Sequence, residues 1–170
     1  RMAVAAGGTQ IVSSGGSALN TTIASGGALV ADTDATATGT NALGGFFISG
    51  HSASNVLLEN GGSLSVVSGG IASSTTVNSG GTEYVSSGGT ASGTTVNSGG
   101  QQLVNSGGTA SGARVNSGGS QFVSSGALVS GTTVSSGGTQ YLVSGASALN
   151  TTIASGGALN ASIDATVTGN

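Results

Sequence analysis

An all-β parallel β-helix (a β-solenoid), with about one coil per 19 residues, is the fold class the sequence predicts. Three observations predict it. Residues 61–155 are five consecutive 19-residue units without insertion, and a sixth copy occupies 7–25. Three columns of these units are apolar in every copy. Gly pairs recur between them at fixed places. A repeat this short suits one thin coil, and it is too short for a helix pair or a propeller blade.

Composition points the same way. The 170 residues include 34 Gly, no Pro, no Cys and no Trp, and only 4% are charged. The hydrophobic fraction of 36% is mostly Ala and Val, which suits a thin core repeated many times. Gly and Ser richness alone describes a flexible linker. Disorder, however, does not require Val or Ile at one fixed place in every unit. The net charge is −3 and Lys plus Arg total 2, so nucleic acid is not an expected partner, because phosphate contacts need a basic footprint. Lack of Cys removes disulfides and thiolate metal sites. No apolar run approaches about 18 residues, so membrane insertion of this segment is not expected. No signal peptide is visible, and Arg1 and Met2 fall outside the repeat.

Within a unit counted from its first Gly, position 6 is Val12, Val66, Val85, Val104, Val123 and Leu142. Position 12 is Ala18, Ala72, Ala91, Ala110, Val129 and Ala148, and position 17 is Ile23, Val77, Val96, Val115, Val134 and Ile153. These columns are assigned to the interior. Successive strand residues point to opposite faces, so position 5 faces out. β-branched residues around positions 6 and 17 predict two short strands per coil. Gly pairs at positions 1–2, and in most units at 9–10, predict two corners. Each coil then stacks about 4.8 Å from the next with parallel pairing. One coil buries too little to stand alone, so stability grows with coil number. Asn78, Asn97 and Asn116 share position 18 and are placed to form an amide ladder, and Thr22, Thr76, Thr95, Thr133 and Thr152 share position 16.

The period wavers over 26–60, read as two variant coils with a bend or bulge. Large apolar residues gather there: Phe46, Phe47, Ile48, Leu57 and Leu58. Residues 7–38 also read closely like 137–168, an offset of 130 that suggests a larger super-repeat. The chain is therefore one solenoid segment: a repeat at 7–25, irregular coils at 26–60, five regular repeats at 61–155, and the start of a further, truncated coil at 156–170.

Catalysis finds little support. His51 is the single His, and no G-x-S-x-G nucleophile elbow sits at a strand-to-helix turn, so no catalytic residues and no cofactor are assigned. Asp32 and Asp34 have D-x-D spacing, which would put both on one strand face, but calcium wants six to eight oxygens, the internal copy matches Asp34 with Asp164 yet Asp32 with Ser162, and the calcium motif G-G-x-G-x-D is missing. No metal site is assigned. Corner hydroxyls are more informative. Position 8 carries Ser14, Ser68, Ser87, Ser106, Ser125 and Ser144, and position 19 carries Ser25, Ser79, Ser98, Ser117, Ser136 and Ser155. Beside Gly they are sterically open to a transferase, although ordinary turn serines look the same. The outward column Tyr84, Leu103, Phe122 and Tyr141 supplies a candidate self-association face. Many weak contacts repeated along such a face add up as multivalent binding does.

The motifs SGGTASGTTVNSGG and GGALVADTDATATGTNALGG, followed by NVLLENGG, resemble the passenger domains of self-associating autotransporter adhesins, the AIDA, TibA and antigen 43 group. The resemblance runs from Gly7 on. It implies a right-handed parallel β-helix displayed at the bacterial cell surface, as an exported passenger of an outer-membrane autotransporter and as a fragment of a longer passenger. It implies self-association between cells, autoaggregation and biofilm, and in some members host-cell adhesion. It also implies O-heptosylation of Ser and Thr by a cytoplasmic heptosyltransferase. The low charge of this chain departs from the fuller antigen 43 pattern. Two readings stand beside each other: an adhesin acting by homotypic contact, and a passive stalk presenting a distal adhesive domain. A third is a substrate of the glycosyltransferase.

Overall fold

The computed structural model describes residues 2–169, and among them every regular element is a β-strand. The unit at 80–98 shows the coil. Its strands are Thr82–Val85, Thr90–Ser92 and Thr95–Val96, one on each of three faces. The coil is thus triangular, with three strands and three corners, where the sequence marked two strands and two corners and left two or three strands per coil open. The third corner falls at position 14 of the unit. Asn20, Asn55, Ser74, Gly93, Gly112, Gly131 and Asn150 occupy it, all with φ between 53° and 66°. A left-handed residue is tolerated there as Gly or as Asn, whose short polar side chain eases the strain. A single residue turns this corner, so a search for Gly pairs passes over it.

Stacking is parallel and in register over the regular coils. Val85 lies beside Val104, Ala91 beside Ala110, and Val96 beside Val115, each a shift of one 19-residue unit. The three expected interior columns are buried over 61–150, with Val66, Val77, Val85, Val96, Val104 and Val115 all at 0% exposure, while Ile153 in the last repeat and Ala18 in the first copy are half-buried. The corners stack as well. Gly69 N–H donates to Gly88 O, Gly88 to Gly107, and Gly107 to Gly126, at 2.9 to 3.1 Å. Turn backbone, which would otherwise depend on water, is paired coil to coil.

The first face is a sheet of eight strands, and the other two faces join into a sheet of 16. They join because Ser147–Ile153 runs unbroken around the third corner, pairing with Leu128–Ser130 on the second face and Thr133–Val134 on the third.

Residues 26–60 do not form two variant coils. On the first face, Ala28–Asp32 pairs directly with Ser63–Val66, so one strand is contributed there. On the second face the chain crosses three times. Thr36–Asn41, Gly44–Ser49 and Ser52–Ser54 make an antiparallel meander inside an otherwise parallel sheet. Ala31 and its neighbour Leu64 are 33 residues apart, 14 more than one repeat, and this excess is the meander. Two extra strands widen one face by about 10 Å. The larger side chains of this segment fill the widened interior: Phe46, Ile48, Val56, Leu57 and Leu58 are buried, while Phe47 alternates outward. Ile48 sits between Ala37 and Ala53 across the meander, and Ala53 leads on to Ala72 of the regular stack.

The 130-residue echo is structural too. Ser17–Ile23 and Ser147–Ile153 share the sequence SALNTTI, and each meets its next strand through a register shift, between Ala18 and Thr21 and between Ala148 and Thr151. At each shift a Gly, Gly39 or Gly169, lies directly against the backbone of the Thr, leaving no room for a Cβ.

Candidate functional site

Two surface features and one interior feature carry the chemistry of this chain. The first surface feature is the corner serines. All twelve are exposed. Eight of them, Ser68, Ser79, Ser87, Ser98, Ser106, Ser117, Ser125 and Ser136, lie under a Gly of the following coil. A Cβ built on that Gly would fall between 2.5 and 3.2 Å from the Ser Oγ. Gly there keeps each hydroxyl uncovered. Ser144 differs, since its Oγ donates to Asp164 Oδ2 at 3.2 Å. Ser14 and Ser25 lie in the first repeat and Ser155 in the last, all exposed.

The second surface feature is the column on the first face. Tyr84 and Tyr141 are exposed, and Leu103 and Phe122 are half-buried between them. Phe122 and Tyr141 stack with ring centroids 4.9 Å apart and planes 6° from parallel. Register places Tyr84 beside Leu103, Leu103 beside Phe122, and Phe122 beside Tyr141, so the column is continuous.

The interior feature escaped a reading by hydrophobicity. Position 4 is Gln10, Leu64, Glu83, Gln102, Gln121 and Gln140, and all six are buried. Position 15, mostly Thr, is buried opposite them at Thr21, Thr75, Thr94, Ala113, Thr132 and Thr151. Gln140 Nε2 donates to Gln121 Oε1 at 2.7 Å, Gln121 Nε2 to Gln102 Oε1 at 2.6 Å, and Gln102 Nε2 to Glu83 Oε2 at 2.8 Å. Thr94 Oγ1 donates to the same Glu83 oxygen at 2.8 Å. Strand alternation was the available signal, because positions 4 and 6 share a face, as do 15 and 17. Burial pushes the Glu83 carboxyl above the usual carboxylate range, against the hydrogen bonds from Thr94 and Gln102 and the nearby Thr75 hydroxyl, which pull it down.

A second ladder forms where the sequence placed it. Asn116 Nδ2 donates to Asn97 Oδ1 at 2.8 Å, and Asn97 Nδ2 to Asn78 Oδ1 at 2.9 Å. It continues more loosely to Glu59 Oε2 at 3.4 Å, while Glu59 Oε1 accepts from Gly26 N–H at 2.8 Å. Glu59 therefore ties the irregular segment to the regular stack. Both ladders point their N–H groups toward the N-terminal end and finish on a carboxylate.

Asp32 and Asp34 do not share a strand face. Asp32 ends its strand and Asp34 lies in the turn that follows, where its N–H donates to Asp32 Oδ1 at 3.0 Å. Asp34 Oδ1 pairs with the exposed His51 Nδ1 at 2.6 Å. Among the described residues, no three of His, Cys, Asp and Glu converge on one point.

A family model of the adhesin of the bacterial autotransporter system, described as a probable stalk and named AIDA, matches residues 38–100 and 96–138. Together these matches span more than half of the chain. The chain belongs to the AIDA family of autotransporter adhesins. Its solenoid is similar to the crystal structure of a TibA fragment hyper-glycosylated by TibC, at 34% identity and a TM-score of 0.58. That match covers 98% of this chain and 76% of the TibA fragment. No curated protein sequence matches. Membership of the AIDA family, with the TibA likeness, makes this a segment of an autotransporter adhesin passenger.

Proposed function

We propose that this segment is displayed at the bacterial surface, carries heptose on its corner serines, and associates with copies of itself on neighbouring cells, supporting autoaggregation and biofilm. The observation that carries the proposal is the exposure of all twelve corner serines, eight of them beneath a Gly. A cytoplasmic heptosyltransferase is the partner that installs the sugars, and the TibA fragment, itself hyper-glycosylated by TibC, supports that assignment. Serines of one column lie one coil apart, about 4.8 Å. Sugars on them would form a continuous hydrophilic ridge on a chain that has only 4% charged residues.

Homotypic contact is assigned to the first face, through Tyr84, Leu103, Phe122 and Tyr141. A stacked aromatic pair gives such a face rigid anchors. Binding of host-cell surfaces would use the same exposed face. The passive stalk is the second reading, favoured by the family's description as a probable stalk. Bead clustering separates the two. Beads coated with the segment, made without transferase, should cluster, and free segment should inhibit them. Clustering seen only after transferase co-expression would assign adhesion to the sugars. No clustering in either preparation would leave the stalk.

A further inference from the structure

We infer that Glu83 is folded into the solenoid as a neutral carboxylic acid, with its proton on Oε1 and shared with Thr75 Oγ1, making the stack a proton-loaded structure that is firmer in acid. The first ground is what surrounds it. Glu83 is fully buried at 0% exposure. Its strand neighbours are Leu64 on one side and Gln102 on the other. Thr75 and Thr94 face it across the interior. None of these groups is titratable, and among the described residues no cation meets it. The protein has only two Lys or Arg, and Arg114 is exposed on the third face. A carboxylate here would hold an unpaired charge in an apolar interior, which is among the least favourable arrangements in a folded chain.

The second ground is which oxygen is free. Glu83 Oε2 accepts from both Gln102 Nε2 and Thr94 Oγ1, as a carbonyl oxygen does. Glu83 Oε1 and Thr75 Oγ1 are both buried and both without a hydrogen-bond partner. One proton on Oε1, donated to the Thr75 hydroxyl, satisfies the two together. The third ground is the column itself. Gln10, Gln102, Gln121 and Gln140 occupy the same position in other coils, and a neutral Glu presents the same pattern as a Gln, one acceptor and one donor side. Burial as the dominant influence on this carboxyl agrees with that assignment.

The sign follows from linkage. The folded state holds the proton to higher pH than the unfolded chain does. The stabilisation is therefore complete below the ordinary carboxylate value of 4.5 and is lost as pH rises through the folded-state value. Between those two values the folding equilibrium falls by about tenfold per pH unit for this one proton.

The test is infrared spectroscopy of the intact segment and of Glu83→Gln, with urea unfolding of both across pH. Glu83→Gln keeps the volume and can donate to Thr75, so it should fold. The expected result is a neutral carboxylic-acid C=O band at neutral pH that disappears in Glu83→Gln. Unfolding midpoints should fall with rising pH in the parent and not in the variant. Thr75→Val, which removes the acceptor, should shift that band to higher frequency. Absence of the acid band at neutral pH, with parent and variant showing the same pH profile, would overturn the inference.

Discussion

Ser68 and Gly88 meet at the same corner of successive coils: a Cβ on Gly88 would lie 2.7 Å from Ser68 Oγ. The Gly is required twice, by φ of 74° and by the hydroxyl beneath it. Gly88→Ala should therefore cost about 1–2 kcal/mol from backbone conformation. The same change should cover Ser68 while leaving Ser106 open. Urea midpoints measure the first effect. Site-resolved mass spectrometry of the segment co-expressed with a heptosyltransferase measures the second, with occupancy at Ser68 expected to fall relative to Ser106.

The two amide ladders should differ in what they contribute. Gln121→Leu keeps an interior volume but leaves Gln102 Oε1 and Gln140 Nε2 buried without partners, each orphan costing about 1–3 kcal/mol. Asn97→Ala breaks the partly exposed ladder, where water replaces the lost partner, and should cost about 0.5–1.5 kcal/mol. Equal losses in chemical denaturation would contradict the burial difference between the ladders.

The meander depends on Ile48. It is fully buried between Ala37 and Ala53, so Ile48→Ala should cost about 2–5 kcal/mol. Phe47, one residue earlier, is 45% exposed, and Phe47→Ser should cost far less. Hydrogen exchange should show the loss of protection in Ile48→Ala concentrated over Thr36–Asn41 and Gly44–Ser49.

The first-face column can be altered without touching the core. Phe122→Ser with Tyr141→Ser removes one stacked pair, worth about 0.5–1.5 kcal/mol, and leaves Val123 and Leu142 inside. The circular dichroism spectrum should be unchanged and bead clustering should be lost. Clustering that survives in the folded double variant would rule this column out as the contact.

Much of this protein was determined by its sequence alone. A strict 19-residue period forces like residues into register, so Val85, Val104 and Val123 had to stack, and so did Asn78, Asn97 and Asn116. The outward column through Tyr84 and Tyr141 followed from strand alternation. Three things were decided only by the tertiary structure. The third corner is turned by single residues such as Gly93 or Asn150, whose left-handed conformation no local pattern announces. The meander arises because 14 residues beyond one repeat must return within the same sheet, and their direction is set by pairing with Thr36–Asn41. The interior place of Gln102 and Gln121 is the deepest case. A lone Gln reads as surface, because burying an unpaired amide is costly. Its partner is the same residue 19 positions away, and only when the coils stack does that partner come within 2.6 Å and make the polar interior stable.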